Sequence, residues 1–112
     1  MTSIVITRDK NKKIVSISCD GHCDYGEMGE DIVCASLSSL VQTAVLGLMS
    51  VAQLPVEYKV DHENALLTLN LPKDISEKER NNADMILETM YLGIADLQSE
   101  YGKFIKLKIN KE

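Results

Sequence analysis

The sequence has no tryptophan, a single phenylalanine (Phe104) and only two prolines, Pro55 and Pro72. Without large aromatic rings, the core has to be filled by Leu, Ile, Val, Ala and Met. Positive charge is also short: 12 Lys and Arg stand against 17 Asp and Glu, a net charge of -5. A bare nucleic-acid binder needs a basic footprint to neutralise phosphates, and this chain lacks one. An acidic surface suits a basic peptide or protein partner instead. Cysteine is sparse and odd in number, with Cys19, Cys23 and Cys34 making three. That argues against a disulfide framework and for a reducing compartment, with the cytoplasm as the expectation. The first residues, M-T-S-I-V-I-T-R, carry no basic segment followed by a long apolar run, so no signal peptide is expected.

What is present fits an ordinary soluble protein, 45% apolar and 26% charged over 112 residues. The length predicts one domain, 1–112, able to close a core without staples. Ile32 to Val56 carries no charged side chain and is long enough to span a bilayer. It also holds Ser36, Ser38, Ser39, Gln42, Thr43, Ser50 and Gln53 and ends at Pro55. A spanning helix rarely carries so many polar groups. The reading is therefore a helix buried on most of its surface, and no membrane contact.

Ser3 to Arg8 and Lys13 to Asp20 are β-rich runs joined by the polar D-K-N-K, which predicts a hairpin. In the second run Val15, Ile17 and Cys19 share the more apolar face, expected to meet the core, while Ile14, Ser16 and Ser18 share the other. Gly21 permits a break, and His22 follows the strand end. After a loop with Gly26 and Gly29, Asp31 is a good N-cap for a helix from Ile32 to about Gln53. Its small residues Ser36, Ser39, Thr43, Gly47 and Ser50 form a stripe that lets another helix, or a second subunit, approach closely. Alternation in 56–60 and 66–71 predicts a second hairpin, with His62-Glu63-Asn64 in its turn. Ser76 and Glu79 form a capping box for a second helix that ends near Tyr101 and Gly102. Ile105, Leu107 and Ile109 mark a last strand. The order ββαββαβ predicts an α+β, two-layer sandwich: a mostly antiparallel sheet with two helices on one face.

The chemistry-bearing residues cluster between Gly21 and Ser39. Cys34 falls at position N3 if Asp31 is the N-cap. There the helix dipole and free backbone N–H groups stabilise a thiolate and can donate to an oxyanion. The bland alternative is a cysteine that fills core. His22, across the loop from Cys34, is the candidate base, or else a surface histidine near a turn. His62 is far from any cysteine in sequence, so His22 is the better partner. Asp31, or Asp24, could orient the imidazole, although capping competes for the Asp31 carboxylate. Ser38, one helical turn after Cys34, either bonds the site or back-bonds to a carbonyl. The loop Asp24, Tyr25, Gly26, Glu27, Met28, Gly29 and Glu30 is either a mobile cover over a peptide or simply two turns. Cys19, His22, Cys23 and Cys34 are four candidate zinc ligands, but their spacing is poor for a zinc site, and no metal or other cofactor is expected. The glycines lack the lysine of a phosphate-binding loop.

Taken together, Gly21-His22, then Gly26 and Gly29, then Asp31-Ile32-Val33-Cys34-Ala35 followed by Ser38, resemble the bacterial ribosomal-processing cysteine proteases of the Prp family. The resemblance covers essentially the whole chain. It implies a homodimeric cytoplasmic peptidase with a Cys–His dyad. Such an enzyme removes a short N-terminal extension from ribosomal protein twenty-seven of the large subunit. Carried over, Cys34 is the nucleophile and His22 the general base. Asp31 and Ser38 match positions near the site, and Asp24 to Glu30 matches the substrate-covering loop. Cys23 departs from the pattern, which usually has a small residue such as alanine there. Cys23 is expected to be a harmless small apolar substitute; oxidation to a Cys23–Cys34 bond, where the geometry allowed one, would inactivate such an enzyme. The other readings of the same chain are a non-catalytic ribosome-associated binding module and an orphan metal-binding domain.

Overall fold

A computed structural model describes the backbone of residues 1–21 and 30–112 and the side chains of 1–21 and 32–112. The order is β1 (Thr2–Arg8), β2 (Ile14–Asp20), α1 (Glu30–Leu46), a π-helical turn Gly47–Val51, β3 (Glu57–Asp61), β4 (Leu66–Asn70), α2 (Glu77–Tyr101) and β5 (Ile105–Lys111). The two helices and five strands follow the expected order. The strands form one sheet, β3-β4-β2-β1-β5. β1 pairs antiparallel with β2, β2 with β4 and β3 with β4, while β5 runs parallel to β1. A parallel partner needs a crossover, and α2 supplies it.

In β1, Thr2, Ile4 and Ile6 are buried and alternate with half-buried neighbours, as a strand with one face on the core requires. In β2 the buried residues are Ile14 and Ile17, not a strict alternation. The pairing explains this. Thr7 faces Ser16 but Arg8 faces Ile14, so the register shifts and Val15 is the extra residue of a bulge. The expectation that Ile14 shares a face with Ser16 is corrected accordingly: the bulge turns Ile14 to the core beside Ile17.

The helical layer contributes Val33, Leu37, Val41, Ala44, Val45 and Leu48 from the first helical stretch, and Ala83, Leu87, Met90 and Ile94 from α2. Fully burying one such side chain is worth about 1.5–3 kcal/mol. The window Ile32–Val51 is long and apolar enough to cross a membrane by length and composition, yet only 33% of it is buried. The helix is thus buried on one face, not on most of its surface. Ile32, Leu46, Met49 and Val51 stay exposed.

The first helix also starts and ends differently from expectation. It begins at Glu30, so Asp31 lies in its first turn instead of preceding it. It passes at Gly47 into the π turn, where the Ala52 N–H donates to the Gly47 carbonyl at 2.9 Å. At the same point a Cβ on Gly47 would lie 3.4 Å from Ile86, which shows how closely the small-residue stripe meets α2.

α2 begins with the predicted capping box. Ser76 Oγ accepts from the Glu79 N–H at 3.1 Å, and Glu79 Oε1 accepts from the Ser76 N–H at 2.9 Å. Charge pairs tie this helix to the first hairpin. The Arg8 guanidinium donates to both Glu88 oxygens, at 2.5 and 3.0 Å, and lies 5.2 Å from the Tyr91 ring centre.

Candidate active site

Three elements converge on Cys34. The first is β1. Its register carries Thr2 to the core face, and the Thr2 hydroxyl lies 3.6 Å from Cys34 Sγ. The second is the end of β2, where Gly21 has φ +150°. A Cβ there would sit 2.6 Å from the Met1 carbonyl oxygen and 2.8 Å from Thr2 Cα, so only glycine lets the two strands close beside the cysteine. The third is the β3–β4 hairpin. Pairing of Cys19 with Leu67 and of Asp20 with Leu66 sets its turn beside Gly21, whose N–H donates to the Ala65 carbonyl at 3.1 Å.

These elements and α1 enclose an open cavity of about 550 Å³. Its polar wall includes Thr2, Cys34, Ser38, Gln42, Asp61 and His62, and its apolar wall includes Leu37, Val41, Val60 and Leu67. A volume of this order accommodates a peptide side chain with adjoining backbone. Asn64 donates through its side chain and its N–H to the two Asp61 oxygens, at 2.8 and 3.1 Å. Those hydrogen bonds hold the Asp61 carboxyl below the usual range, so the hairpin presents an anion to the cavity.

The two described cysteines differ chemically. Burial pushes the Cys19 thiol up to about 12, leaving it a neutral space-filler in the cavity wall. Tyr58 beside it is raised too, first by burial and then by Cys19. Cys34 is disulfide-bonded in this structure. Because α1 starts at Glu30, Cys34 lies deeper in the helix than position N3. The dipole effect, concentrated in the first turn, reaches it weakened.

Of the residues singled out between Gly21 and Ser39, Gly21, Cys34 and Ser38 line this cavity, and the candidate ligand Cys19 joins them in its wall. Glu30 and Asp31 have helical backbone at the start of α1. His22, Cys23 and the loop 24–29 lie outside the described residues, as does the Asp31 side chain. Among the described residues no group of three or more His, Cys, Asp and Glu is placed to hold a metal ion.

Sequence reasoning missed two contributors. His62 lines the cavity despite its distance along the chain, because the β2–β4 pairing folds its turn back over the end of β2. Thr2 was not singled out at all. The alternation Thr2-Ile4-Ile6, which puts a hydroxyl on an apolar face, was the available signal.

The whole-chain comparisons agree with this geometry. A family model described as cysteine protease Prp matches residues 1–106. The ribosomal processing cysteine protease Prp of Staphylococcus aureus strain Mu50 is 28% identical over 109 residues, covering 96% of this chain and 97% of the relative. The crystal structure of SMU.848 from Streptococcus mutans superposes with a TM-score of 0.86 at 28% identity, covering 100% of this chain and 96% of that one. The S. aureus Prp crystallised with a covalently linked product peptide gives a TM-score of 0.82 at 25% identity, covering 98% and 100%. With the match running from β1 into β5, and Cys34 opening on a peptide-sized cavity, the chain belongs to the cysteine protease Prp family.

Proposed function

We propose that this protein is a cysteine endopeptidase that removes the N-terminal extension of ribosomal protein twenty-seven of the large subunit, acting as a homodimer in the cytoplasm. The observation that carries the reading is the position of Cys34 on the wall of the 550 Å³ cavity, in a chain matched by the protease family over residues 1–106. The S. aureus relative was crystallised with a covalently linked product peptide, which suits acyl transfer through a cysteine. The net charge of -5 and the Asp61 carboxylate suit a basic ribosomal substrate.

In this reading Cys34, once reduced, is the nucleophile and His22 the general base. The imidazole takes the thiol proton, and the sulfur forms a bond to the scissile carbonyl carbon. The carbonyl oxygen becomes an oxyanion, then collapses and expels the amine, to which the imidazole returns the proton. Water, deprotonated by the same imidazole, releases the acyl group and restores the thiol. Ser38, and Asp31 at the start of α1, are the supporting polar groups, and Asp24 to Glu30 is the cover over the bound peptide.

The homodimer reading is supported by the exposed apolar residues Leu46, Met49, Met85 and Leu92, carried by the two helical stretches. Burying them against a second copy would remove apolar surface from water.

The test incubates the reduced protein with the same organism's ribosomal protein twenty-seven and follows the mass of its N-terminus. Loss of a short N-terminal piece with the wild type, and none with Cys34→Ala, is the expected result. Binding without cleavage by either would replace the protease with a binding module.

A further inference from the structure

We propose that the Thr2 hydroxyl is a hydrogen-bond donor to the Cys34 sulfur, holding it in its attacking position and stabilising its thiolate. The inference rests on the reading of Cys34 as the nucleophile.

Among the described residues Thr2 is the one polar side chain in the buried core, at 5% exposure. Its hydroxyl oxygen lies 3.6 Å from Cys34 Sγ, within the range of a hydrogen bond to sulfur. A disulfide sulfur has no proton to give, so in this structure the hydroxyl donates and the sulfur accepts.

The donor is held from three directions. The Thr2 N–H bonds the Phe104 carbonyl at 2.9 Å, and Thr2 is paired with Ile105 at the start of the parallel β1–β5 ladder. A β-branched side chain has few rotamers open to it, which narrows where the hydroxyl can point. Gly21 closes the third side, since a Cβ there would fall 3.3 Å from the hydroxyl oxygen. The hydroxyl is thus held in the sheet, within hydrogen-bond range of the sulfur carried by α1.

The chemistry follows from the change of charge. A thiolate accepts a hydrogen bond more strongly than a thiol or a disulfide sulfur, so the bond favours the ionised form and lowers its pKa. Cys34 sits deeper in α1 than the free N–H groups at the helix end, and a side-chain donor compensates for the weaker dipole there. The bond also aims the sulfur. When the sulfur becomes bonded to the acyl carbon its charge is gone, and the hydroxyl no longer favours it. Thr2 therefore acts by preparing the nucleophile, and its removal should lower acylation more than peptide binding.

The experiment measures the rate of Cys34 alkylation by iodoacetamide against pH in the reduced protein, with the labelled site identified by peptide mass. Wild type is compared with Thr2→Val, which keeps the shape, Thr2→Ala, which removes the hydroxyl without adding bulk, and Thr2→Ser, which restores a hydroxyl. Loss of one hydrogen bond to the thiolate is expected to raise the midpoint by about one pH unit in the Val and Ala variants. The Ser variant is expected to return close to wild type. A midpoint unchanged in both Val and Ala variants overturns the proposal, as does a Ser variant that behaves like Val. Alkylation reads the sulfur itself. If the wild type cleaves no ribosomal protein while the midpoints still shift, the protease reading fails and the Thr2–Cys34 bond stands.

Discussion

Gly21 and Thr2 touch so closely that no other residue fits at Gly21: a Cβ there would lie 2.8 Å from Thr2 Cα and 2.6 Å from the Met1 carbonyl oxygen. Both obstacles are backbone, and Thr2 is held by the β1–β5 ladder, so they cannot turn aside as a side-chain tip would. The φ of +150° adds a conformation that L side chains rarely adopt. Gly21→Ala is expected to destabilise the fold by about 2–3 kcal/mol, read as a lower urea midpoint at an unchanged slope. It should also lower peptidase activity beyond the loss of folded protein, because relief of the clash moves Thr2 away from Cys34. An unchanged urea midpoint would show that the strands part at little cost.

The start of α2 offers a pH prediction. The hydrogen bonds from Ser76, backbone first and then side chain, hold the Glu79 carboxyl below its ordinary value of 4.5. A depressed carboxylate stabilises the fold fully above the unfolded value and loses that contribution as the pH falls through the folded one. Glu79→Gln is therefore expected to narrow the difference in melting temperature between pH 7 and pH 3. Ser76→Ala removes the reciprocal bond and is expected to cost about 1 kcal/mol. Parallel melting curves for wild type and Glu79→Gln across that pH range would remove Glu79 as a source of the pH dependence.

Local signals made most of the fold legible. The Ser76–Glu79 box, the alternation in β4 and the polar turn between β1 and β2 each act over a few residues, and each appears as expected. What sequence could not supply was pairing between distant elements. The bulge at Val15 is visible only in the register between β1 and β2, and it moved Ile14 to the opposite face. The same holds for the site. Cys34 and Ser38 were legible because one helical turn links them. Thr2 and His62 reach the cavity through strand pairing, which the spacing of residues along the chain does not reveal.

The cysteines are expected to separate cleanly by reactivity. Cys19, with its thiol pushed up to about 12, stays protonated at neutral pH. Its burial as a thiol favours the fold fully below the ordinary value of 9.0, and that advantage is lost as the pH rises towards about 12. In reduced protein at pH 8, iodoacetamide should label Cys34 and leave Cys19 unmodified, as peptide masses would show. Because Cys34 is disulfide-bonded in the structure, peptidase activity should appear only after reduction. Cys23 lies outside the described residues, and from the sequence it is a harmless substitute that could pair with Cys34 only on oxidation. Cys23→Ser is then expected to keep activity through mild oxidation that silences the wild type. Full activity of oxidised wild type would contradict the assignment of Cys34 as nucleophile.

The two histidines can be told apart because their expected roles differ. His22, the base implied by the family pattern, acts on the thiol proton. His62 reaches the cavity from the β3–β4 turn and stands next to Asp61, so its contribution is to the wall that meets the peptide. His22→Ala is expected to lower kcat by at least about 100-fold, the scale of a lost general base, with little change in KM. His62→Ala should instead raise KM several-fold and leave kcat nearly unchanged, since it removes binding common to the ground and transition states. The check is steady-state cleavage of a peptide spanning the processing site by both variants, with circular dichroism confirming that each is folded. A collapse of kcat in the His62 variant, with His22→Ala unaffected, would reverse the assignment. The base would then come from the hairpin turn, presented to Cys34 across the cavity by the pairing of β4 with β2.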